Sequence, residues 1–172
     1  MANLTLRAAK REDARAIAEI HVAAWQAAYR GLMPDDYLAS LSVDERATMW
    51  QDALGRPSPA QLALAEIDRT LAGFCIYGPT RDKEPPEVAE IYAVNIHPDY
   101  WRRGAGRLLC EHALREAAVR EHAAVTLWVM SGNERALAFY GRLGFAPDGA
   151  LRTNSELIGR PFDEIRYRKS IA

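Results

Sequence analysis

Apolar and polar residues change period several times along this chain, and each change marks an element. Residues 4–8 alternate as a strand does. Over residues 12–29 the apolar positions Ile17, Ile20, Ala24 and Ala28 recur at helical intervals, which predicts a long amphipathic helix ended by Gly31. Pro34 can open a short helix holding Tyr37 and Leu38, and Ser42-Val43-Asp44-Glu45 matches a capping box heading another helix through Trp50 and Leu54. After the break at Gly55-Arg56-Pro57-Ser58-Pro59, residues 62–67 and 71–77 read as strands joined at Asp68-Arg69-Thr70.

The second half alternates strand and helix. Residues 80–87, with Pro85-Pro86, form a polar loop expected to move and to flank an acceptor site. A strand follows over 88–96, a helix over 104–121 with Leu108, Leu109, Ala113 and Ala117 on one face, a strand over 124–130 and a helix over 133–143. Residues 145–151 and 164–167 close the chain as strands. This order predicts a mixed α/β sheet with helices on both faces, in a single domain covering residues 1–172.

Composition narrows the function classes. With 49% apolar and 26% charged residues the chain matches globular averages, and no apolar run approaches the ~20 residues of a membrane span. The N-terminus lacks an apolar signal core, so a cytoplasmic protein is expected. A formal charge of -1 gives no overall positive field, so neither nucleic acid nor a membrane surface is expected as a partner. Cys75 and Cys110 sit in apolar settings that suit buried free thiols, and the four histidines show no ligand spacing, so no metal is expected.

The chemistry concentrates between His97 and Leu109, where a strand passes through Trp101-Arg102-Arg103-Gly104-Ala105-Gly106-Arg107 into a helix. Glycines at 104 and 106 allow close backbone approach, and the helix start offers free N–H groups and a positive dipole end, together an anion cradle. A Walker A loop would end in Gly-Lys-Ser/Thr, and a dinucleotide fold would place a third glycine where Leu109 stands, so neither fits.

This segment resembles the Gln/Arg-x-x-Gly-x-Gly/Ala signature of the GNAT N-acetyltransferase family. Asn133-Glu134-Arg135-Ala136-Leu137-Ala138-Phe139-Tyr140, running on to Gly144-Phe145, is similar to that family's second signature, Asn-x-x-Ala-x-x-x-Tyr. The resemblance implies the acyl-CoA N-acyltransferase fold, with a mostly antiparallel central sheet, and acetyl-CoA as the acyl donor. It implies a diphosphate held by backbone N–H groups from Arg102 to Arg107, with charge from Arg102, Arg103 and Arg107 around Gly104, Ala105 and Gly106. It implies a pantetheine arm lying beside Val94, Asn95 and Ile96 as an extra strand. Trp101 stands where the signature prefers Gln or Arg, so that side-chain contact is lost and the orientation of residue 101 is left open.

By the same resemblance Tyr140 is the general acid for the departing thiolate, and Glu90, four residues before Val94, is the base, acting through a water. On the helix pattern alone Tyr140 reads as a core aromatic, and Glu90 as a bare residue is a strand-end carboxylate exposed to solvent or paired with an arginine. Asn133 has two readings: a helix cap, or a pantetheine contact left free by a capping box running from Ser131 to Glu134. The acceptor pocket is expected among Trp25, Tyr29, Asp35, Asp36, Tyr37, Glu156 and Glu164, where aromatics beside carboxylates suit a cationic amine. The expected activity is acetyl transfer to a primary amine of a small molecule by direct attack. A protein or peptide acceptor and a non-catalytic acyl-CoA-binding module stay open as alternatives, as does the oligomeric state, a homodimer included.

Overall fold

The computed structural model describes residues 3–172. Along the chain these form β1 (Leu4–Ala8), α1 (Ala14–Ala28), α2 (Asp35–Ser40), α3 (Val43–Leu54), β2 (Gln61–Ile67), β3 (Thr70–Pro79), β4 (Val88–Ile96), α4 (Ala105–Val119), β5 (Ala124–Met130), α5 (Glu134–Arg142), β6 (Ala146–Asn154) and β7 (Phe162–Ser170). The strands make one sheet in the order β1-β2-β3-β4-β5-β7-β6. Neighbours β4 and β5 run parallel, and the other neighbouring pairs run antiparallel. This is the expected mixed sheet.

Alternation along the strands sends side chains to two cores. On one face Ala63, Cys75, Ile91, Val125, Leu127 and Val129 pack beneath Leu109, Cys110 and Ala113 of α4, with α5 alongside. On the other, Leu64 and Phe74 meet Ile17 and Ile20 of α1 and Ala47 and Trp50 of α3. A third cluster joins Met33, Leu38, Met130 and Ile158 with Trp25, Tyr29 and Tyr37 packed against them. The Ser42 hydroxyl accepts from Glu45 N–H at the head of α3, the cap that the local pattern predicts. The outermost strand, β6, is exposed along most of its length, with a register shift between Pro147 and Leu151.

The loop over residues 80–87 departs from expectation, being tied down rather than free. Asp82 accepts from Trp128 Nε1 at 3.0 Å and pairs with Arg166, and Glu84 pairs with both Arg166 and Arg168 at 2.8 and 3.1 Å. Arg166 also meets Asp148 at 2.8 Å, so one largely buried guanidinium joins the loop, β6 and β7.

His21 generates a prediction about stability. Its ring lies edge-on to Trp25, Trp50 and Phe74, and Trp50 Nε1–H donates to its Nδ1 at 3.4 Å. Burial, with the Arg46 charge, pulls its pKa down to about 4 from the usual 6.5. The unfolded chain therefore binds the extra proton first, so stability is lost as pH falls through 6.5 and the loss levels off below 4. The contribution is about 3 kcal/mol, from a fall of roughly 2.5 pKa units at about 1.36 kcal/mol each. Urea titrations between pH 7 and pH 4 should show a shallower decline for His21→Gln than for the wild type; parallel declines would assign the acid sensitivity elsewhere.

Candidate functional site

The site begins where two strands part. β4 and β5 pair only over Val88–Glu90 against Ala124–Thr126. Beyond that point β4 keeps β3 on one side and β5 keeps β7 on the other, leaving a gap in the middle of the sheet. A bulge sits at the fork: Ile76 faces Ala93 and Tyr77 faces Ile91, so Tyr92 is an extra residue that bends β4 away.

Backbone alternation decides which groups face the gap. His97 N–H bonds Ala72 C=O, so 97 and 72 are a hydrogen-bonded pair. By alternation Ile96 and Val94 turn their N–H and C=O groups away from β3, into the gap, whereas Asn95 turns its own toward Phe74. The gap edge is thus made by Val94 and Ile96, and the expectation for Asn95 is corrected: its main chain is committed to β3. The Ile96 carbonyl is also occupied, accepting from Trp101 Nε1 at 2.8 Å. That bond settles the orientation of residue 101, whose ring straps the end of β4.

Two helices start at the gap's open end. Gly104 caps α4 at φ +90°, where an L side chain would be strained although its space is nearly empty. The first intrahelical bond is Leu108 N–H to Gly104 C=O, leaving the N–H groups of Ala105, Gly106 and Arg107 without helical partners. Gly106 serves another end: a Cβ there would lie 3.3 Å from Phe139 and 3.6 Å from Ile96, so its bareness lets α4 close onto α5 and β4. Of the expected cationic side chains, Arg107 is partly committed to Glu111 at 2.6 Å. Arg103 lies over the Tyr100 ring, and Arg102 adopts φ +62° in the turn.

At the head of α5 the cap is Asn133, whose Oδ1 accepts from Ala136 N–H at 3.2 Å. The capping box from Ser131 does not form. Asn133 is buried with its carbonyl spent on the helix, so only its amide N–H groups remain for another partner. One helical turn after Ala136, Tyr140 lies between Phe139 and Phe145, ring centroids 5.1 and 6.0 Å away. Its hydroxyl makes no hydrogen bond with the described residues, yet it is not sealed off, because no buried side-chain polar atom is unpartnered. Burial pushes its pKa well above the ordinary value, keeping the phenol protonated.

Glu90 does not fit the role of base. It is 1% exposed, and both carboxylate oxygens are taken by Arg81: Oε2 by the backbone N–H at 2.8 Å, and Oε1 by the guanidinium. Three N–H donors spread over both oxygens turn this carboxyl group toward Arg81 rather than toward a substrate. Glu90 anchors the 80–87 loop at the fork.

The expected acceptor residues divide. Trp25 and Tyr29 stack edge-to-face at 5.2 Å beside Tyr37. A cleft of about 510 Å³ opens between α2 and the β6–β7 connection, with Asp36, Tyr37 and Ser40 on one wall and Ile158, Gly159 and Arg160 on the other. Glu164 is neutralised by Arg152 at 2.6 Å, and Asp35 and Glu156 are exposed outside the lining. Trp101 and Arg135, which neither signature's expected contacts include, meet at the open end: the guanidinium stacks on the indole, 3.5 Å from its centroid. The available signal was the aromatic at 101 where the signature prefers a polar residue.

The Acetyltransferase (GNAT) family model matches residues 14–145. The uncharacterized N-acetyltransferase YuaI of Bacillus subtilis is 28% identical over 162 residues, covering 94% of this chain and 90% of that protein. Among solved structures, the PaiA N-acetyltransferase of Thermoplasma acidophilum in complex with coenzyme A superposes with a TM-score of 0.76 at 20% identity, covering 98% of this chain and 99% of that one. The YncA acetyltransferase of Salmonella typhimurium with acetyl-CoA does so with a TM-score of 0.69 at 21% identity, covering 98% and 94%. The split sheet, the two helix heads at the open end of its gap and a family match spanning both signatures lead to one conclusion: the chain belongs to the GNAT acetyltransferase family.

Proposed function

We propose that this protein transfers an acetyl group from acetyl-CoA to a primary amine of a small molecule by direct attack, with Tyr140 as general acid. The observation that carries the reading is the gap between β4 and β5, which has unpaired backbone groups on Val94 and Ile96, the free N–H groups of α4 at its open end and the unpartnered Tyr140 hydroxyl. Amide groups of a pantetheine arm match such a strand edge, and a diphosphate matches a helix N-terminus. The residues present fit the carrier, which supplies an activated acyl thioester.

Each residue then has a physical task. Val94 N–H, Val94 C=O and Ile96 N–H orient the arm, and Ala105, Gly106 and Arg107 N–H groups hold the diphosphate. Tyr140 gives its hydroxyl proton to the departing thiolate and regains one from solvent. A phenol is a weaker acid than a thiol, so the transfer relies on placement in a site that excludes bulk water. Direct attack agrees with the cysteines: Cys75 and Cys110 are buried, and burial pushes the Cys110 thiol up to about 12, far from a ready nucleophile. The amine loses its proton to water rather than to Glu90. A small acceptor suits the 510 Å³ cleft, within the range of ligand pockets, and the mixed charge of Asp36 and Arg160 offers a polar approach.

Two measurements test this reading. With the best acceptor from an amine panel, thiol release by Tyr140→Phe should fall about 100-fold in kcat while KM for acetyl-CoA stays within about twofold; an unchanged kcat removes Tyr140 from the chemistry. Glu90→Gln should keep the shape of the pH–rate profile and lose about 1–2 kcal/mol of stability in urea unfolding, since Arg81 can turn to solvent when its partner is neutral. Loss of the alkaline plateau with unchanged stability would restore Glu90 as base.

A further inference from the structure

One contact crosses the open end of the gap. Trp101, in the connection from β4 to α4, is fixed to the end of β4 by its bond to the Ile96 carbonyl. Arg135, the second residue of α5, lays its guanidinium over the same indole, 3.5 Å from the ring centroid. The indole is thereby held from one bank by a hydrogen bond and from the other by a stacked cation.

Charge around this contact is one-sided. Arg135 has no ion pair among the described residues, and the charged group that bears on it is the like-charged Arg102; Tyr29 is its other titratable neighbour. Partial burial against the ring, together with the Arg102 charge, lowers the Arg135 pKa, a direction that marks a cation lacking its counter-charge. Arg102 lies in the turn just before α4, and Arg135 in the first turn of α5, each near the positive end of a helix. A stacked guanidinium has its face covered and its in-plane N–H fork free, the arrangement that grips a phosphate bidentately; an ammonium group could not stack and fork together.

We propose that Trp101 and Arg135 form a latch that gives the carrier a side-chain phosphate contact from α5, the bank opposite the glycine turn. Arg135 is the binding group, Arg102 completes the charge, and Trp101 is a positioning residue that aims the guanidinium. The latch makes good the contact that a Gln or Arg at position 101 would have supplied. It rests on the reading that the gap holds acyl-CoA, and its ligand is a phosphate ester or anhydride of the nucleotide end.

The test compares a carrier with phosphates and one without. Calorimetry with CoA should show Kd about tenfold weaker for Arg135→Ala, with Arg135→Lys recovering little of the loss. Trp101→Phe, which keeps a ring face but loses the N–H anchor, should fall between wild type and Arg135→Ala. With acetyl-pantetheine, which has no nucleotide phosphates, kcat/KM of Arg135→Ala and Arg135→Lys should stay within twofold of the wild type. Equal losses for both donors would show that the latch only sets the width of the gap, and an unchanged Kd for CoA would show that Arg135 binds no phosphate; either overturns the proposal. A wild-type protein that does not bind CoA would instead overturn the underlying reading of the gap. If Arg135→Ala melts at the temperature of the assay, Arg135→Lys carries the same comparison.

Discussion

A sheet that opens in its middle leaves backbone donors and acceptors without strand partners, and the rest of this molecule is arranged around that exposure. β4 and β5 share three residue pairs and then separate, so Val94 and Ile96 present main-chain groups to a space that no strand fills. Such groups are costly to bury unpaired, and a stable fold can keep them only if water or a ligand reaches them. The opening is held apart from both sides: α4 and α5 pack on one face, and the third apolar cluster around Met33 and Met130 fills the other near the same end. The close approach of Gly106 to Phe139 and Ile96 draws the helix heads together where a carrier would be gripped.

Electrostatics divides the molecule along the same line. Several acids are paired along the frame: Arg166 meets Asp82, Glu84 and Asp148, Arg81 holds Glu90, and Arg152 holds Glu164. At the open end, Arg102 and Arg135 stand together without a carboxylate between them. Surface ion pairs add little stability, but a network sharing a 13% exposed guanidinium fixes the position of a loop. Carboxylates thus pair within the frame, while Arg102 and Arg135 are left without one at the open end.

Much of the fold was legible because the signals are local. Strands β1, β4 and β5 carry the same bounds in sequence and structure, since alternation and flanking turn residues lie within a few positions of each other. The glycine turn and the Asn133 to Tyr140 helix were legible as motifs because their chemistry is contiguous. What escaped is pairing across distance. Nothing near Glu90 announces that Arg81 will fold back over it, and nothing in either segment tells Trp101 that Arg135 will stack on it. At the head of α5, Ser131 and Asn133 both suit a cap, and tertiary placement of the preceding turn, with Ser131 N–H bonded to Asp163 C=O, decides for Asn133. Asn95 was misplaced for a related reason: strand periodicity locates residues on a strand, but only the partner's register says which of them point sideways into the gap.

The outer edge of the sheet carries a separate consequence. β6 offers a long row of open main-chain groups with Leu151 73% exposed, the kind of border that recruits strands from neighbouring molecules. Pro147 removes one donor from that row, and the irregular stretch up to Leu151 bends it out of line. Both are features by which a sheet margin is made a poor template for edge-to-edge pairing, so an opening inside the sheet coexists with an outer strand shaped against extension.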